Sequence, residues 1–379
     1  MSKLDLKPDV IKLSMLINRI TSLLFFDMIF PRDVIIYILL TYYKLFNKIK
    51  FSGNVGHSLC LNYGTVYGTG INSGNILGIE DIYDRCHFSK SNLLKNLDIV
   101  NVSTGVSHSI VQTRDGNLYG FGTNKYGQLG LEDERCISRA SVVKLPIENV
   151  LDISCGDLFS IVLTKNGLLS TGNTDNGCLG RSDFFRINSR TFKPIIISNV
   201  INFKCSACTV FIQTKDGIFS HGNNACNQLG LSKKMFGKIV ILPNKIDIED
   251  PLSFYNGPTS SLILTKDALF LCDLTHDRYR IETRVNIIQA LIVDYAIYYS
   301  TEDGVYSFNF STLNSPILSI QDSIFLFSKP VLSIQPAPNG LFIETYNECY
   351  GIGSSEYGEL GTCFTSSKYQ NIPTKIVFK

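Results

Sequence analysis

The sequence predicts a mainly β protein, a seven-bladed β-propeller of four-stranded antiparallel blades that is preceded by a small N-terminal helical segment. Three observations predict it. A glycine motif recurs about every 50 residues, short strand-like runs flank Asp-Gly and Asn-Gly pairs, and the first 47 residues lack both features. Period-two strands in units of this length are typical of propeller blades, because the units of a helical solenoid would show 3.6-residue spacing.

The composition is that of a folded globular protein. Hydrophobic residues make up 44% of the 379 residues and charged residues 18%, which excludes a disordered, collagen-like or coiled-coil chain. The formal net charge is +2, which is too balanced for a protein that binds nucleic acid by bulk charge. Nucleic acid is therefore not an expected partner.

The cysteines and the apolar segments predict an intracellular protein. The eleven cysteines are odd in number and irregularly spaced, so we expect reduced thiols rather than a secreted disulfide framework. The first residues lack a basic region followed by a short apolar core, so we expect no secretory signal. Charged residues interrupt the most apolar stretch, 20–43, before it reaches the roughly 20 residues of a membrane span. We expect the cytoplasm or nucleus, no secretion and no membrane partner.

Residues 1–47 form the first predicted domain, a basic and amphipathic helical segment in which Pro31 begins the second helix. Part of it resembles the opening of an F-box, the helical module that docks a substrate receptor onto the cullin adaptor of a ubiquitin ligase. The alternative is a helical cap packed against the propeller. The residues that carry the resemblance, and that would dock the partner, are Phe30, Pro31, Val34, Ile38 and Leu39.

The second predicted domain, 48–379, consists of seven repeated units. In five of them a glycine is followed eight residues later by the glycine of a Leu-Gly pair. The first glycines are Gly70, Gly122, Gly172, Gly222 and Gly353, and the second are Gly78, Gly130, Gly180, Gly230 and Gly361. Two weaker units, at 262–273 and 297–309, complete the seven, and their short separation predicts a trimmed sixth blade with short loops.

Each unit has the pattern of four short antiparallel strands. Runs such as 108–113 and 117–122 flank Asp115-Gly116, a pair suited to a tight hairpin turn. A third run lies upstream, as at 97–103. The fourth strand, such as 140–145, is expected to precede that run and to begin the next blade.

The end of the chain predicts how the ring closes. Residues 372–379 match the strand that follows Leu-Gly in the other units, but no further unit remains. We therefore expect the C-terminal strand 374–378 to close the propeller by pairing into the first blade beside 48–52, which would remove exposed strand edges.

The repeat resembles that of the regulator of chromosome condensation family, whose fold is a seven-bladed β-propeller. The resemblance covers 51–379. The family's founding member is a guanine-nucleotide exchange factor. The motifs that carry the resemblance are Gly105-x-x-His108-Ser, Asp115-Gly116, Tyr119-Gly-Phe-Gly122 and Gly127-Gln-Leu-Gly130.

The sequence predicts no catalytic, cofactor-binding or metal-binding residues. His57 and His108 occupy the same position in successive units, and a catalytic residue has no reason to recur with the blade period, so we interpret both as structural residues that bond to neighbouring backbone. Cys205 and Cys208 have the spacing of zinc ligands but lack a second pair, so we expect buried thiols. No P-loop or nucleophile elbow is present.

The leading functional hypothesis is a non-enzymatic scaffold that binds a protein through its loop faces. The polar runs 132–139, 181–190 and 232–238 are expected to form variable loops of one face, where recognition would lie. One alternative is guanine-nucleotide exchange on a Ran-like small GTPase, although the 50-residue third unit leaves no room for an inserted hairpin wedge. The other is a substrate receptor of a cullin-type ubiquitin ligase.

Overall fold

The structure of the protein is a computed structural model that describes residues 49–379 with nine internal gaps. The residues that it does not describe are 1–48, 133–140, 183–187, 275–277, 283–285, 294–295, 310–322, 328–330, 346–347 and 364–365. The described residues form seven four-stranded antiparallel sheets, which confirms the predicted seven-bladed propeller. The predicted helical segment and its five F-box-like residues lie outside the described part of the chain.

The strands follow one another blade by blade, each pairing with the next. Blade one contains β1 Lys50–Asn54, β2 His57–Asn62, β3 Thr65–Gly70 and β4 Arg85–Lys90. Blade two contains β5 Ile99–Thr104, β6 His108–Thr113, β7 Leu118–Gly122 and β8 Val143–Lys144. Blade three contains β9 Val150–Cys155, β10 Phe159–Thr164, β11 Gly167–Gly172 and β12 Ser189–Pro194. Blade four contains β13 Val200–Ser206, β14 Thr209–Thr214, β15 Gly217–Asn223 and β16 Ile239–Lys245.

The last three blades have the same order. Blade five contains β17 Ser253–Asn256, β18 Ser261–Leu264, β19 Ala268–Cys272 and β20 Tyr279–Glu282. Blade six contains β21 Gln289–Val293, β22 Ala296–Ser300, β23 Val305–Asn309 and β24 Ile324–Phe327. Blade seven contains β25 Val331–Ala337, β26 Gly340–Thr345, β27 Cys349–Ser355 and β28 Ser366–Lys375. Short 3-10 turns are formed at Ser73–Asn75, Asp175–Gly177 and Lys233–Met235. Within the described ranges no helix is long and apolar enough to cross a bilayer.

The first strand of each blade is the innermost, because it contacts the first strands of both neighbouring blades around the ring. Hydrophobic clusters fill the spaces between blades, so that each cluster draws on two adjacent sheets; Leu59 of blade one, for example, packs in one cluster with Val111 of blade two. The ring is completed where Phe51 of blade one stacks on Phe342 of blade seven, with ring centroids 4.2 Å apart. Burial between blades, rather than within any one sheet, therefore holds the fold together.

The two sets of repeated glycines have different roles. At Gly122 φ is +92°, and an added Cβ would lie 2.5 Å from the Ser107 carbonyl oxygen, so a side chain is excluded by conformation and by space. Gly70, Gly172, Gly222 and Gly353 share a positive φ and the same close approach to a loop carbonyl. The second set packs against the next blade: a Cβ at Gly130 would meet Phe192, and the corresponding neighbours of Gly180, Gly230 and Gly361 are His221, Cys272 and Phe88.

The assignment of the fourth strand to the following blade was wrong. Lys144 of β8 pairs with Tyr119 of β7, so the strand that follows Leu-Gly is the outermost strand of its own blade. The connection that carries Leu-Gly reverses the direction of the chain, so that the fourth strand pairs with the third strand of the same blade. The repeat pattern alone does not show with which sheet the fourth strand pairs.

The chain end closes the ring at a different place from the one expected. Thr374 and Lys375 pair with β27, so β28 completes blade seven instead of pairing beside 48–52. Only the last residues cross to blade one, where they meet its outermost strand β4: the Phe88 amide donates to the Val377 carbonyl at 3.1 Å, and the Lys379 amide donates to the Phe88 carbonyl at 2.8 Å. Strand β1 instead contacts β25, and the Phe51 amide donates to Gln335 Oε1 at 2.7 Å.

The predicted trimming lies in blade five rather than blade six. Six residues separate β19 from β20, whereas sixteen separate β11 from β12 and fourteen separate β23 from β24. The short distance between the two weak units therefore reflects the missing Leu-Gly connection of blade five.

Candidate protein-interaction surface

The two predicted structural histidines lie between blades. His57 and His108 are fully buried at the starts of β2 and β6. Nε2 of His108 lies 2.9 Å from Oγ of Ser160, and Nε2 of His57 lies 3.3 Å from Oγ of Ser109, so each imidazole reaches the second strand of the next blade. Each serine donates its own proton onward to a backbone carbonyl at 2.7 Å. Because a hydroxyl has one proton, the imidazole nitrogen must be the donor to it.

These histidines are unsuited to acid–base chemistry near neutral pH. Burial lowers the pKa of His57 to about 4 and that of His108 to about 3. Gly105 leaves space for this arrangement, since a Cβ there would lie 2.1 Å from the His108 ring. The Gly-x-x-His motif is thus explained by packing between blades.

The Cys205 and Cys208 pair lies at the turn between β13 and β14. Both thiols are partly buried, and burial raises the pKa of Cys208 to about 11 and that of Cys205 further. Among the described residues they do not belong to a group of three potential metal ligands. In the part of the chain that the structure describes, one such group occurs, formed by Cys86, His87 and Cys363.

Consecutive antiparallel strands place the connections of a blade alternately on two faces. We use the name hairpin face for the face that carries the turns between second and third strands, such as 215–216, and the links between blades, such as 246–252. The loops expected to carry recognition connect third and fourth strands and so belong to the opposite face. Of these, 232–238 is described and contains a 3-10 turn, while most of 132–139 and part of 181–190 fall outside the described residues.

A cleft of about 630 Å³ opens on the hairpin face of blade four. It is lined by the β14–β15 turn, 213–217, and by the link to blade five, 245–251. The exposed charged residues of its lining are the carboxylates of Asp216, Asp247, Glu249 and Asp250 and the ammonium groups of Lys215 and Lys245. Carboxylates outnumber ammonium groups, which gives the cleft a negative bias.

Exposed aliphatic side chains also occur on the hairpin face of blades three to five. Leu151 and Ile201 lie at the starts of β9 and β13, Leu252 directly precedes β17, and Ile196 lies in the link between blades three and four. Their exposed fractions are 53%, 58%, 60% and 94%. Exposed apolar residues of the opposite face, such as Ile82, Tyr83 and Tyr357, are spread over blade one and blades four to seven. The hairpin face of blades three to five therefore carries the more concentrated combination of apolar and charged groups.

Bulges explain why two of these aliphatic residues are exposed. In β13 the register passes from Val200 to Asn202 and leaves Ile201 unpaired, and in β9 it passes from Val150 to Asp152 and leaves Leu151 unpaired. A bulge redirects the side chain of the extra residue. Reasoning from the sequence missed this surface. A signal was present, because Leu151, Ile201 and Leu252 recur at the blade period, and each is an aliphatic residue next to a link between blades.

Models of the regulator of chromosome condensation (RCC1) repeat match residues 115–163 and 99–128 of this chain. These ranges cover the strands of blade two and the first two strands of blade three. The histidine, glycine and Leu-Gly positions described above for blade two fall within them.

Two curated proteins share sequence with the chain. It is 32% identical over 139 residues to "Probable E3 ubiquitin-protein ligase HERC3" of Homo sapiens, a match that covers 32% of this chain and 13% of that protein. It is also 32% identical over 123 residues to the ultraviolet-B receptor UVR8 of Arabidopsis thaliana, covering 32% of this chain and 28% of the receptor. The matched segments thus span less than a third of the relatives' own lengths.

Among solved structures the fold is similar to that of Prp20p from Saccharomyces cerevisiae. The TM-score is 0.57 at 19% identity, and the match covers 87% of this chain and 77% of that one. A likeness at this identity concerns the fold, and it extends over the propeller as a whole. Residues 99–163 thus match the regulator of chromosome condensation (RCC1) repeat, and the described residues form the seven-bladed propeller that the resemblance of the sequence implied.

Proposed function

We propose that this propeller is a non-enzymatic scaffold that binds a protein partner across the hairpin face of blades three to five. The observation that carries the proposal is the acidic cleft together with the exposed Leu151, Ile201 and Leu252 on the same face. Grouped exposed aliphatic residues beside polar groups are typical of protein-binding surfaces, and they would be buried by a partner of complementary shape.

The charges of the cleft indicate the chemistry of the partner. Four carboxylates against two ammonium groups favour a segment that carries Lys or Arg next to apolar side chains. Asp247 already has a cationic neighbour, Arg278, at 3.8 Å, so the remaining carboxylates would supply most of the attraction. Because these groups are exposed, their contribution would be small and would weaken with added salt.

Affinity capture with matched variants tests the proposal. The full chain would be compared with Ile201→Asp and with Ile82→Asp, an equally exposed position of the opposite face. The proposal expects Ile201→Asp to reduce recovery of the bound protein by at least about tenfold, since a buried unpaired carboxylate is costly. Ile82→Asp should retain it. Equal recovery by both variants, or loss only with Ile82→Asp, would contradict the proposed face.

The hydrogen-bonded histidines and the free thiols are consistent with the rest of this proposal. Burial lowers the pKa of His221 to about 4, as it does for the other two fully buried histidines, and this disfavours an enzymatic role for them. All ten described cysteines are free, which supports a reducing compartment, the cytoplasm or nucleus.

We also propose that 1–47 is a separate domain from the propeller, 48–379.

Guanine-nucleotide exchange on a Ran-like GTPase is the second candidate. It rests on the fold shared with Prp20p, whose structure was studied together with its binding to Gsp1p and histones. Release of fluorescent GDP from such a GTPase, measured with and without the full chain, tests it, and unaccelerated release would remove it. Capture of a cullin adaptor with and without 1–47 tests the ubiquitin-ligase alternative in the same way.

A further inference from the structure

Three potential metal ligands meet where blade seven joins blade one. The ligand atoms of Cys86, His87 and Cys363 all lie within 4.8 Å of one another, and Cys86 Sγ is 3.8 Å from His87 Nδ1. Around a tetrahedral zinc ion, with Zn–S near 2.3 Å and Zn–N near 2.0 Å, ligand atoms stand roughly 3.5–3.8 Å apart. A small inward movement of these side chains would therefore bring their ligand atoms to the spacing that a tetrahedral zinc ion requires.

A β-bulge explains how two consecutive residues can serve one ion. In a regular strand neighbouring side chains point to opposite faces. In β4 the pairing with β3 passes from Arg85↔Gly70 to Ser89↔Gly68, so the three residues 86–88 oppose the single residue Thr69. The alternation is broken there, and Cys86 and His87 approach each other.

The bulge is a repeated feature, but its ligands are particular to blade one. The outermost strand of blade three has the same irregularity opposite Thr171, and that of blade four has it opposite His221. The residues at these bulges are Arg190, Thr191 and Phe192 in blade three and Ile241, Leu242 and Pro243 in blade four. The Cys-His pair therefore does not follow from the needs of the repeat.

Cys363 is held against this bulge from the other side of the junction. Its amide donates to the Cys86 carbonyl at 2.8 Å. Gly358, which begins the turn before it, approaches so closely that an added Cβ would lie 2.6 Å from the Cys86 Cα. The backbone thus fixes the distance between the main chains of the two cysteines. A bound ion would have to order only the rotation of their side chains.

We propose that Cys86 Sγ, His87 Nδ1 and Cys363 Sγ bind one Zn²⁺ that joins the last blade to the first, with water in the fourth position. Two thiolates and a neutral imidazole match the preference of zinc for sulfur and nitrogen ligands and balance its charge. On binding, each thiol loses its proton to solvent and forms a Zn–S bond, and no oxidant is needed.

The position gives the ion a structural role. Every other pair of neighbouring blades is joined by the chain itself, whereas blades seven and one are held by noncovalent contacts such as the Val377 and Lys379 hydrogen bonds to Phe88. A bound ion would add a crosslink at this junction and stabilise the closed ring in proportion to its affinity.

Metal titration of the full-length, reduced chain tests the proposal. After removal of bound metal, Co²⁺ should produce a thiolate charge-transfer band that Zn²⁺ abolishes, and the zinc content should reach about one ion per chain. Cys363→Ser should lower the retained zinc at least about tenfold and remove the rise in melting temperature that zinc produces. Cys363 is exposed, so its replacement leaves the core intact, and the control Cys226→Ser, in the blade four turn, should behave as the unaltered chain.

Three outcomes would overturn the proposal. They are the absence of a cobalt–thiolate band in the reduced chain, equal zinc content in the unaltered chain and Cys363→Ser, and equal loss of zinc in Cys226→Ser. If Cys86 and Cys363 form a disulfide, and the chain takes up no metal after that disulfide is reduced, the cobalt–thiolate band is absent and the proposal fails. The two cysteines would then be a redox pair instead.

Discussion

Nε2 of His108 lies 2.9 Å from Oγ of Ser160, although the two residues are 52 positions apart and belong to neighbouring blades. Offsets of 52 and 51 recur along the inner strands, where the Cys155 amide donates to Ser103 Oγ at 2.8 Å and the Cys205 amide donates to Ser154 Oγ at 2.9 Å. The hydroxyl groups of one blade thus accept hydrogen bonds from donors of a neighbouring blade. The blade period in the sequence is the spacing that brings such partners together.

Removing one of these hydroxyls should weaken the junction between blades two and three. Ser160→Ala would leave the buried His108 Nε2 and the Gln128 carbonyl without their shared partner, so we expect a loss of about 1–3 kcal/mol in the free energy of unfolding. Urea denaturation measures it. The exposed Ser182→Ala should shift the free energy by less than about 0.5 kcal/mol, and an equal effect of both changes would refute the role of this hydroxyl.

Acid should destabilise the propeller through its buried histidines. Burial lowers the pKa of His57 and His221 to about 4 and that of His108 to about 3, whereas an unfolded histidine titrates near 6.5. As the pH falls from about 6.5 towards 4, the unfolded chain takes up protons that the folded chain does not, so stability falls over that window.

The contribution of one histidine to this pH dependence can be isolated. His108→Gln removes one titrating group, so its urea midpoint should fall less steeply between pH 6.5 and 4 than that of the unaltered chain. Exposed carboxylates titrate alike in both proteins and cancel in the comparison. Identical slopes would show that His108 is not held neutral by the fold.

Gly127 should tolerate a side chain less well than another glycine of similar conformation. Gly127 has a φ of +79°, and its added Cβ would lie 2.5 Å from the Ser189 carbonyl oxygen, whereas Gly74, with a φ of +72°, has nothing within 4 Å. Gly74→Ala should cost about 1 kcal/mol from the backbone conformation alone, and Gly127→Ala clearly more. Thermal unfolding compares them, and equal melting temperatures would argue against a tight contact between blades two and three.

The chain end should contribute to stability through one aromatic ring. Phe378 lies 5.5 Å from the Phe88 ring and 5.2 Å from the Tyr67 ring, measured between centroids. Phe378→Ala should lower stability by about 1–3 kcal/mol because the ring is half-buried, and removal of 372–379 should lower the melting temperature further. Val377→Ala, which leaves the backbone hydrogen bonds in place, is the control. An unchanged melting temperature for the truncated chain would mean that these residues do not close the ring.

The number of blades could be predicted because five blades carry a glycine that no other residue can replace, and the two weaker units fit the remaining spacing. Gly122 combines a positive φ with a backbone carbonyl 2.5 Å from where a Cβ would be, and the same requirement recurs in the other blades that carry the motif. Ring closure could not be placed correctly, since β28 has the same pattern whether it pairs with β27 or with blade one. Only the three-dimensional path of the preceding turn decides between them.

The surfaces were harder to predict than the fold. Ile201 looks like an ordinary strand residue in the sequence, and only the register shift beside Val200 exposes it. Cys86 and His87 likewise appear as strand neighbours that should diverge, and Cys363 is 276 residues away from His87. Bulges and ring closure bring these groups together, and neither leaves a signal in the local pattern.

Hydroxyl-radical footprinting of the full chain in complex with its captured partner tests the central functional claim most directly. Binding across the hairpin face should protect 196–201, 213–217 and 245–252 while the side chains of the opposite face stay reactive. Protection confined to 82–84 and 232–238, with the cleft of blade four still reactive, would contradict the account.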